Sequence, residues 1–453
     1  MSELGLAKER LGAKLQEHLL AAPARRGPVR FAVAAPAVDL PRWLAANTGS
    51  PRFYWSERGG AFEWAGLGVA DAFVSDPDAG TPAPLARLEA RLAAGAGDAR
   101  YFGGLCFDGR PPAKRAWAPF GTARFTLPRF EITREGQTWT LACNVLADPG
   151  AQPRQTLRRL EEELSHLRTG QKALAPPPTL LHRTDSPDQA AWVRIVEEVL
   201  RRIEHGPLQK AVLARRTDFR FAEAPDPFLL LHRLRASNPA GFHFAFQPEE
   251  GSTFLGVSPE RLYRREGRHI LSEAVAGTRR RGDSEHEDRA MGDALLESEK
   301  DRREHRFVAD EVGRKLDGLC RSYRADREVS LLKLARLQHL RRTFEGTLRT
   351  GIDDAAIVAA LHPTPAVAGN PTAAAVAEIA RREPFERGWY AGPLGWVGAH
   401  GADFTVAIRS GLLSGDRLAL FTGAGIVRGS MPHAEWEELE NKLAGFVRAI
   451  GAP

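Results

Sequence analysis

Residues 394–424 have the sequence LGWVGAHGADFTVAIRSGLLSGDRLALFTGA, which indicates the type of fold. The stretch contains three apolar segments, and these predict strands at 394–397, 404–412 and 417–424. Short glycine-containing segments separate them and favour tight reversals of the chain. Strands joined by such short connections pair antiparallel. The stretch therefore predicts part of an antiparallel sheet.

The rest of the chain extends this plan. Apolar patterns predict further strands at 30–38, 52–69 (a hairpin), 101–107, 116–127, 130–145, 208–215, 242–247, 253–257 and 270–276. Amphipathic spacing predicts helices at 1–22, 85–94, 157–167, 188–204, 293–316, 355–361, 373–382 and 433–450. Runs of strands interrupted by single helices favour an α+β fold with large, mostly antiparallel sheets over a regular βαβ array.

One segment is a candidate linker. Residues 173–179, with the sequence ALAPPPT, combine three prolines with small residues. They place a boundary near residue 180, between an N-terminal part (1–180) and a C-terminal part (181–453).

The composition limits the classes of function. The chain has 453 residues, of which 43% are hydrophobic and 26% charged, as is typical of a globular protein. Its 63 Lys and Arg residues against 57 Asp and Glu give a formal charge of +6. The basic residues form no stripe with interleaved aromatics, so nucleic-acid binding is not expected. The mild positive excess is compatible with a small anionic substrate.

Cysteine usage and the N-terminus bear on the cellular compartment. Cys106, Cys143 and Cys320 are widely spaced and form no CxxC motif, which favours a reducing compartment. The first 20 residues predict an amphipathic helix of mixed charge rather than a signal peptide. No apolar run approaches the roughly 18–20 residues that cross a membrane. We therefore expect a cytoplasmic protein without a membrane partner.

The segment LQKAVLAR (208–215) places a lysine in an apolar strand. With a period of two residues, Lys210 shares a face with Leu208, Val212 and Ala214. Burial favours the neutral form of a lysine, and a neutral amine can act as a general base. The alternative is a lysine at the end of a strand that extends to water. The spacing leaves both possibilities open.

The segment FLGVSPERL (254–262) places a carboxylate directly after an apolar strand. Catalytic groups are often displayed at the ends of strands, so Glu260 is a candidate. The alternative is a carboxylate in a turn or helix that faces solvent.

Two predicted helices carry charged residues at helical spacing. Glu297, Lys300, Asp301 and Glu304 lie at i, i+3, i+4 and i+7, and thus on one helix face. The alternative is a solvated, ion-paired face. Similarly, Glu435, Glu438 and Lys442 share a face of the helix that follows FTGAGIVRG (421–429). The GxG motif in this segment can hold an anion on its backbone N–H groups but is weak evidence by itself.

Together, the two carboxylate-bearing helices can hold a hard cation such as Mg²⁺. A lysine base opposed by a glutamate acid near such a cation suits addition and elimination reactions on an acidic substrate.

In combination, these segments resemble the chorismate-utilising enzymes, the family of isochorismate, salicylate, anthranilate and aminodeoxychorismate synthases. The resemblance covers about 190–446 in family order and is weaker for RFYWSERGGAFEWAGLGVA and YFGGLCFD near the N-terminus. It implies a single domain of two packed, mostly antiparallel sheets with outer helices, in which the boundary near 180 is only a loop. The matching segments are LQKAVLAR, FLGVSPERL, EAVAGT, SEKDRREH, LQHL, HPTPAVAG, WYAGPLGWV, FTVAIRS, FTGAGIVRGS and EWEELENK.

The resemblance implies a role for each matching residue. Lys210 would activate the water that attacks C2 of chorismate, and Glu260 would protonate the departing C4 hydroxyl. Glu304 and Glu438 would bind Mg²⁺, with Glu435 and Asp301 as further candidates for the metal site. The implied substrate-binding residues are Gly277, Thr278, His339, Tyr390, Arg409, Gly423, Gly425 and Lys442.

Three positions imply which reaction is catalysed. Ammonia-using members of the family carry glutamine in place of Lys210, so no glutamine amidotransferase subunit is expected. Aminodeoxychorismate synthases often carry lysine where this chain has Ala276. The segment HPTPAVAG (362–369) is similar to that of isochorismate synthases, which are isomerases. We expect an isochorismate synthase, most similar to the menaquinone type. The alternatives are a salicylate synthase, a siderophore-pathway isochorismate synthase and a non-catalytic relative.

Overall fold

The computed structural model describes residues 2–21, 27–49, 51–75, 83–94, 98–113, 115–148, 150 and 152–451. Met1 and Ala22, at the ends of the predicted first helix, lie outside the described residues. The helices within the described part are α1 (Glu3–Ala21), α2 (Leu40–Ala46), α3 (Ala83–Ala94), α4 (Pro153–His166), α5 (Gln189–His205), α6 (Pro227–Ser237), α7 (Glu285–Glu297), α8 (Glu299–Leu319), α9 (Asp354–Leu361), α10 (Thr372–Arg382) and α11 (Pro432–Ala449).

The strands of the described part run through the whole chain. They are β1 (Gly27–Ala34), β2 (Arg52–Ser56), β3 (Phe62–Leu67), β4 (Asp71–Val74), β5 (Arg100–Leu105), β6 (Ala123–Leu127), β7 (Phe130–Glu135), β8 (Thr138–Ala147), β9 (Leu180–Ser186), β10 (Lys210–Phe221), β11 (Phe242–Glu249), β12 (Ser252–Ser258), β13 (Arg261–Glu266), β14 (His269–Arg280), β15 (Cys320–Ala325), β16 (Ser330–Lys333), β17 (Leu337–Leu348), β18 (Gly369–Asn370), β19 (Pro393–Gly398), β20 (Gly401–Val406), β21 (Ser410–Ser414) and β22 (Arg417–Val427).

These strands form two large antiparallel sheets. The first has the order β1-β8-β7-β3-β2-β11-β12-β21-β22-β10-β18, and β9 pairs with β10 beside β18. The second has the order β15-β17-β14-β13-β20-β19-β5-β6-β4, and β16 pairs with β17. Strands from both sides of residue 180 share each sheet: β2 pairs with β11, and β5 pairs with β19. The proline-rich stretch is thus a connection inside a single α+β domain, as the resemblance implied.

Aromatic side chains fill the space between the two sheets. The rings of Phe53 and Phe102, one from each sheet, stack with centroids 4.6 Å apart. Phe246 stacks on Trp389 at 5.5 Å. Helices cover the outer faces: α1, α2, α4 and α6 pack on one part of the first sheet, α5 and α11 on β22, and α8 on the second sheet. Burial of these apolar surfaces supplies the main driving force of folding. In the described chain, no helix combines the length and apolarity needed to cross a bilayer.

The predicted helix over 293–316 is interrupted. Helix α7 ends at Glu297, and Ser298 then caps α8, because its hydroxyl accepts a hydrogen bond from the Asp301 N–H at 3.3 Å. Glu297 is exposed and belongs to α7, so it does not extend the face formed by Lys300, Asp301 and Glu304. The prediction that Glu297 shares a helix face with the other three residues was therefore wrong.

The predicted strand over 404–412 is two strands in different sheets. β20 belongs to the second sheet and β21 to the first, and the chain crosses between them at 407–409. Arg409 adopts φ = 49°, a left-handed conformation that turns the chain at the crossing. A pattern of apolar residues cannot show such a change of sheet, because both halves remain buried. A smaller difference lies at 116–127, where a 3₁₀ turn at Arg115–Trp117 precedes β6.

Candidate active site

A cavity of about 660 Å³, including its mouth, lies where the two sheets meet α8 and α11. It forms at a gap in the first sheet. Residues 417–421 of β22 pair with β21, whereas 422–427 pair with β10 alone. Of the 14 site residues named from the sequence, 11 line this cavity: Glu260, Gly277, Thr278, Glu304, His339, Tyr390, Arg409, Gly423, Gly425, Glu438 and Lys442.

Lys210 lies just behind the cavity wall at the start of β10. Its side chain is fully buried, and its Nζ lies 2.9 Å from Glu304 Oε1. Burial would raise the pKa of Glu304, but the opposing charge of Lys210 prevails and lowers it. The structure therefore excludes the alternative in which Lys210 extends to water. It places an amine and a carboxylate together at one wall of the cavity.

Glu260 follows Pro259 in the two-residue connection between β12 and β13, and is only 3% exposed. The backbone is fixed there, since the Glu260 carbonyl accepts hydrogen bonds from Thr405 Oγ1 at 2.5 Å and from the Val406 N–H at 3.1 Å. Burial raises the pKa of the Glu260 carboxyl to about 8, although the charge of Lys210 opposes this shift. A carboxyl that keeps its proton near neutral pH can act as a general acid. The solvent-facing alternative for Glu260 was wrong.

Three carboxylates on α8 and α11 each face a lysine. Glu304 pairs with Lys210 at 2.9 Å, Glu435 with Lys300 at 2.7 Å and Glu438 with Lys442 at 2.6 Å. Burial raises the pKa of Glu435, and the charge of Glu438 raises it further. The helices thus place three carboxylates, each paired with a lysine, beside the cavity.

These carboxylates provide the hard oxygen donors that Mg²⁺ prefers, and their mutual repulsion is the kind that a divalent cation relieves. In the described part of the chain, no three His, Cys, Asp or Glu side chains already converge on one point as a metal site. Asp301, the remaining candidate, packs against Gly277. A Cβ added to Gly277 would lie 3.2 Å from the Cβ of Asp301. The donor chemistry therefore fits Mg²⁺, while the carboxylates are held by lysines.

Arg409 and His339 form a hydrogen-bonded pair in the cavity lining. Arg409 Nη2 donates to His339 Nε2 at 2.6 Å, and His339 Nδ1 donates to the Gly277 carbonyl at 3.0 Å, with Thr278 Oγ1 at 3.2 Å. Burial and the charge of Arg409 hold the pKa of His339 well below its usual value. A neutral imidazole accepting from the guanidinium therefore orients Arg409.

Lys442 binds the edge of β22 that is left without a strand partner at residues 422–427. Its Nζ donates to the Gly423 carbonyl at 2.7 Å, at a position where β22 lacks a second strand partner. Arg409 and Lys442 together suit the carboxylates of an anionic substrate.

Small residues on β22 keep the cavity open. An added Cβ at Gly425 would collide with Glu304 Oε1 and lie 3.1 Å from Lys210 Cε. An added Cβ at Gly423 would lie 2.8 Å from the hydroxyl of Tyr390. The Tyr390 ring is buried and stacks on Phe421 with centroids 5.1 Å apart. Each glycine therefore leaves room for one functional side chain.

Three residues that support this site, Thr364, Glu383 and Arg387, are not among the residues predicted from the sequence. Thr364 Oγ1 donates to Glu260 Oε1 at 3.4 Å, and it lies within the HPTPAVAG segment that the resemblance singled out. Arg387 and Glu383 form a buried pair behind the cavity. Their i, i+4 spacing was visible, but such pairs are usually surface features.

Comparisons with known proteins agree with this geometry. A family model described as chorismate binding enzyme matches residues 16–451. The isochorismate synthase MenF of Pasteurella multocida is 35% identical over 91% of this chain and 90% of its own length. The protein of the same name from Escherichia coli is 32% identical over 98% of each chain. A chloroplastic isochorismate synthase of Catharanthus roseus is 36% identical over 78% of this chain, which spans 62% of that longer relative.

Solved structures show the same architecture. The menaquinone-specific isochorismate synthase MenF from Escherichia coli superposes with a TM-score of 0.88, at 31% identity, over 99% of this chain and 100% of its own. Component I of anthranilate synthase from Streptococcus pneumoniae, at 21% identity and a TM-score of 0.68, shares the fold. The chain belongs to the family of chorismate-binding enzymes.

Proposed function

We propose that this protein is an isochorismate synthase that converts chorismate to isochorismate with the help of Mg²⁺. The observation that carries the proposal is the placement of Lys210 and Glu260 at one cavity, with a carboxyl of raised pKa as the acid and a buried amine as the base. The names of the full-length relatives support the same reaction.

In this proposal, Lys210 acts in its neutral form, after losing the proton that it holds against Glu304, and takes a proton from water as the water adds to C2 of the substrate ring. Glu260 donates its proton to the C4 hydroxyl, which leaves as water while the double bonds shift. One water enters and one departs, so the overall change is an isomerisation. Burial supports both steps, because it keeps Glu260 protonated and excludes competing bulk water.

Substrate binding would use two cations of the cavity lining. Arg409 and Lys442 would hold carboxylates of the substrate, and Tyr390 would limit the depth of the cavity. Glu304 and Glu438 would hold Mg²⁺, with Glu435 and Asp301 beside them. When bound, the cation would neutralise the ring carboxylate of the substrate.

Several finer assignments belong to the same proposal. Lys210, in place of glutamine, favours water over ammonia, so we propose that the enzyme works without an amidotransferase subunit. The full-length match to the menaquinone-specific enzyme favours a role in menaquinone synthesis. The three cysteines are buried and unpaired, which supports a reducing, cytoplasmic location.

The test is to incubate the purified protein with chorismate and Mg²⁺, with and without ammonium, and to separate the products by chromatography. Isochorismate alone is expected. Salicylate with pyruvate would favour the salicylate synthase reaction instead. A relative from Pseudomonas aeruginosa is named a salicylate biosynthesis isochorismate synthase, and this name again supports isochorismate as the product. Anthranilate would contradict the role given to Lys210, and absence of any turnover would favour a non-catalytic relative.

A further inference from the structure

Strand β10, which begins with Lys210, has a gap along one edge. Residues 210–211 of this edge pair with β18, and residues 216–221 pair with β9. Between them, Val212 donates its N–H to the Ala368 carbonyl, but along this edge no described strand pairs with residues 212–215, which pair with β22 on the other edge. Buried backbone groups need partners, so something must satisfy the Val212 carbonyl and the Ala214 N–H.

An ion pair fills the gap. Arg387 Nη2 donates to the Val212 carbonyl at 2.8 Å, and Glu383 Oε1 accepts from the Ala214 N–H at 2.8 Å. The two side chains bind each other through Arg387 Nε and Glu383 Oε2 at 2.8 Å, and through Nη2 and Oε1 at 2.5 Å. The pair thus supplies one donor and one acceptor to the strand, as a neighbouring strand would.

The same guanidinium also binds the HPTPAVAG segment (362–369). Arg387 Nη1 donates to the Val367 carbonyl at 2.9 Å, in the segment that also carries Thr364, the donor to Glu260. The guanidinium lies over the ring of Phe107 at 4.4 Å and 5.6 Å from the ring centre of Tyr390. Both side chains of the pair are only 4% exposed, so water does not screen these interactions.

We propose that Arg387, with Glu383, is a positioning residue that fixes the strand of the general base against the segment that orients the general acid. This inference rests on the proposed function, since it concerns the relative placement of Lys210 and Glu260. A planar guanidinium with forked donors can bridge two carbonyls and a carboxylate at once, whereas an ammonium on a longer, flexible stem cannot. Small errors in the placement of catalytic groups reduce turnover strongly.

The experiment compares Arg387→Lys with Arg382→Lys. Arg382 is the matched control, because its Nε also pairs with a glutamate at i−4, Glu378, at 2.9 Å, but on α10 and away from the cavity. We expect Arg387→Lys to lower kcat about 10- to 100-fold with KM for chorismate within about threefold. We expect Arg382→Lys to keep both constants close to those of the unmodified enzyme.

A second variant and a second readout separate positioning from general stability. Glu383→Gln keeps an oxygen for the Ala214 N–H but removes the ion pair, so it should also lower kcat more than it changes KM. Hydrogen exchange at the Ala214 amide should accelerate in Arg387→Lys and Glu383→Gln and stay unchanged in Arg382→Lys.

Three results would overturn the proposal: an unchanged kcat in folded Arg387→Lys and Glu383→Gln, equal losses in Arg387→Lys and Arg382→Lys, or a loss of kcat no larger than the loss of folded protein. Failure of the proposed function would look different, because the unmodified protein would then form no isochorismate. Hydrogen exchange at the Ala214 amide would still report on the Arg387–Glu383 pair in that case.

Discussion

Lys210 Nζ and Glu304 Oε1 lie 2.9 Å apart, and this pair joins β10 to α8 at the wall of the cavity. Lys210 is fully buried and Glu304 is partly buried at the cavity wall, and the charge of the lysine lowers the pKa of Glu304 against the effect of burial. Glu304 is therefore an anion at neutral pH. The proposed base and the proposed metal ligand are in this way neighbours, and a change in either one will affect the other.

The first prediction concerns Lys210. Lys210→Ala should lower kcat by about 10²- to 10⁴-fold, the range typical for loss of a general base. Because the change also leaves Glu304 unpaired, it can destabilise the protein, by about 3–5 kcal/mol for a broken buried pair. Lys210→Arg keeps a positive charge that does not deprotonate, so it should be equally inactive and more stable. Steady-state kinetics and thermal unfolding measure both effects, and substantial activity in Lys210→Arg would contradict the assignment.

The second prediction is a pH dependence. Glu260 must be protonated to act as an acid, and its pKa is raised to about 8. Activity should therefore fall as the pH rises through about 8, since the carboxyl then loses its proton. The pH profile of kcat/KM for the free enzyme measures this limb. Glu260→Gln should reduce turnover strongly, and a limb that persists unchanged in its residual activity would assign the titration to another group.

Much of this site was predictable from the sequence because its residues lie in compact segments. Lys210 and Glu260 are polar residues at the ends of apolar strands, and the pattern marked both as candidates, whereas their roles came from the family resemblance. What the pattern could not show is burial, which decides between a base and a solvated lysine. That property depends on α8, whose residues lie about 90 positions further along the chain.

The errors have a common physical cause. Ser298 separates α7 from α8, and Arg409 lies in the crossing between β20 and β21, each within a buried, apolar or amphipathic stretch. Periodicity continues across such points, whereas the cap and the left-handed backbone that create them depend on one residue. The role of Arg387 could not be predicted either, because it binds backbone carbonyls of distant segments, which leave no pattern in the sequence.

The third prediction tests whether Gly425 must lack a side chain to leave room for the Lys210–Glu304 pair. In Gly425→Ala, the new methyl group would meet Glu304 Oε1 and Lys210 Cε, both of which are ends of flexible side chains. The fold should therefore survive while the ion pair is displaced, and kcat should fall about tenfold or more. Gly170→Ala is the control, since nothing lies within 4 Å of its added Cβ. Full activity of Gly425→Ala would show that the pair tolerates displacement.

The fourth prediction concerns His339 as the support of Arg409. His339→Leu removes the acceptor that Arg409 Nη2 uses at 2.6 Å. Loss of a hydrogen bond to a charged group costs about 1.5–3 kcal/mol, so KM for chorismate should rise at least about tenfold, with a smaller effect on kcat. Because the pKa of His339 lies well below its usual value, KM should show no histidine titration between about pH 6 and 7. A titration in this range that disappears in His339→Leu would contradict the neutral imidazole.

The fifth prediction concerns the metal. A chelator should abolish turnover and added Mg²⁺ should restore it, because the carboxylates of α8 and α11 supply hard oxygen donors beside the cavity. Glu438→Gln removes one of these charges and should raise the Mg²⁺ concentration for half-maximal activity at least about tenfold. Glu437→Gln is the matched control, since Glu437 is the adjacent, exposed residue of the same helix and should leave the titration unchanged. Equal Mg²⁺ titrations for both variants would place the metal away from Glu438, and activity that survives complete chelation would remove Mg²⁺ from the reaction.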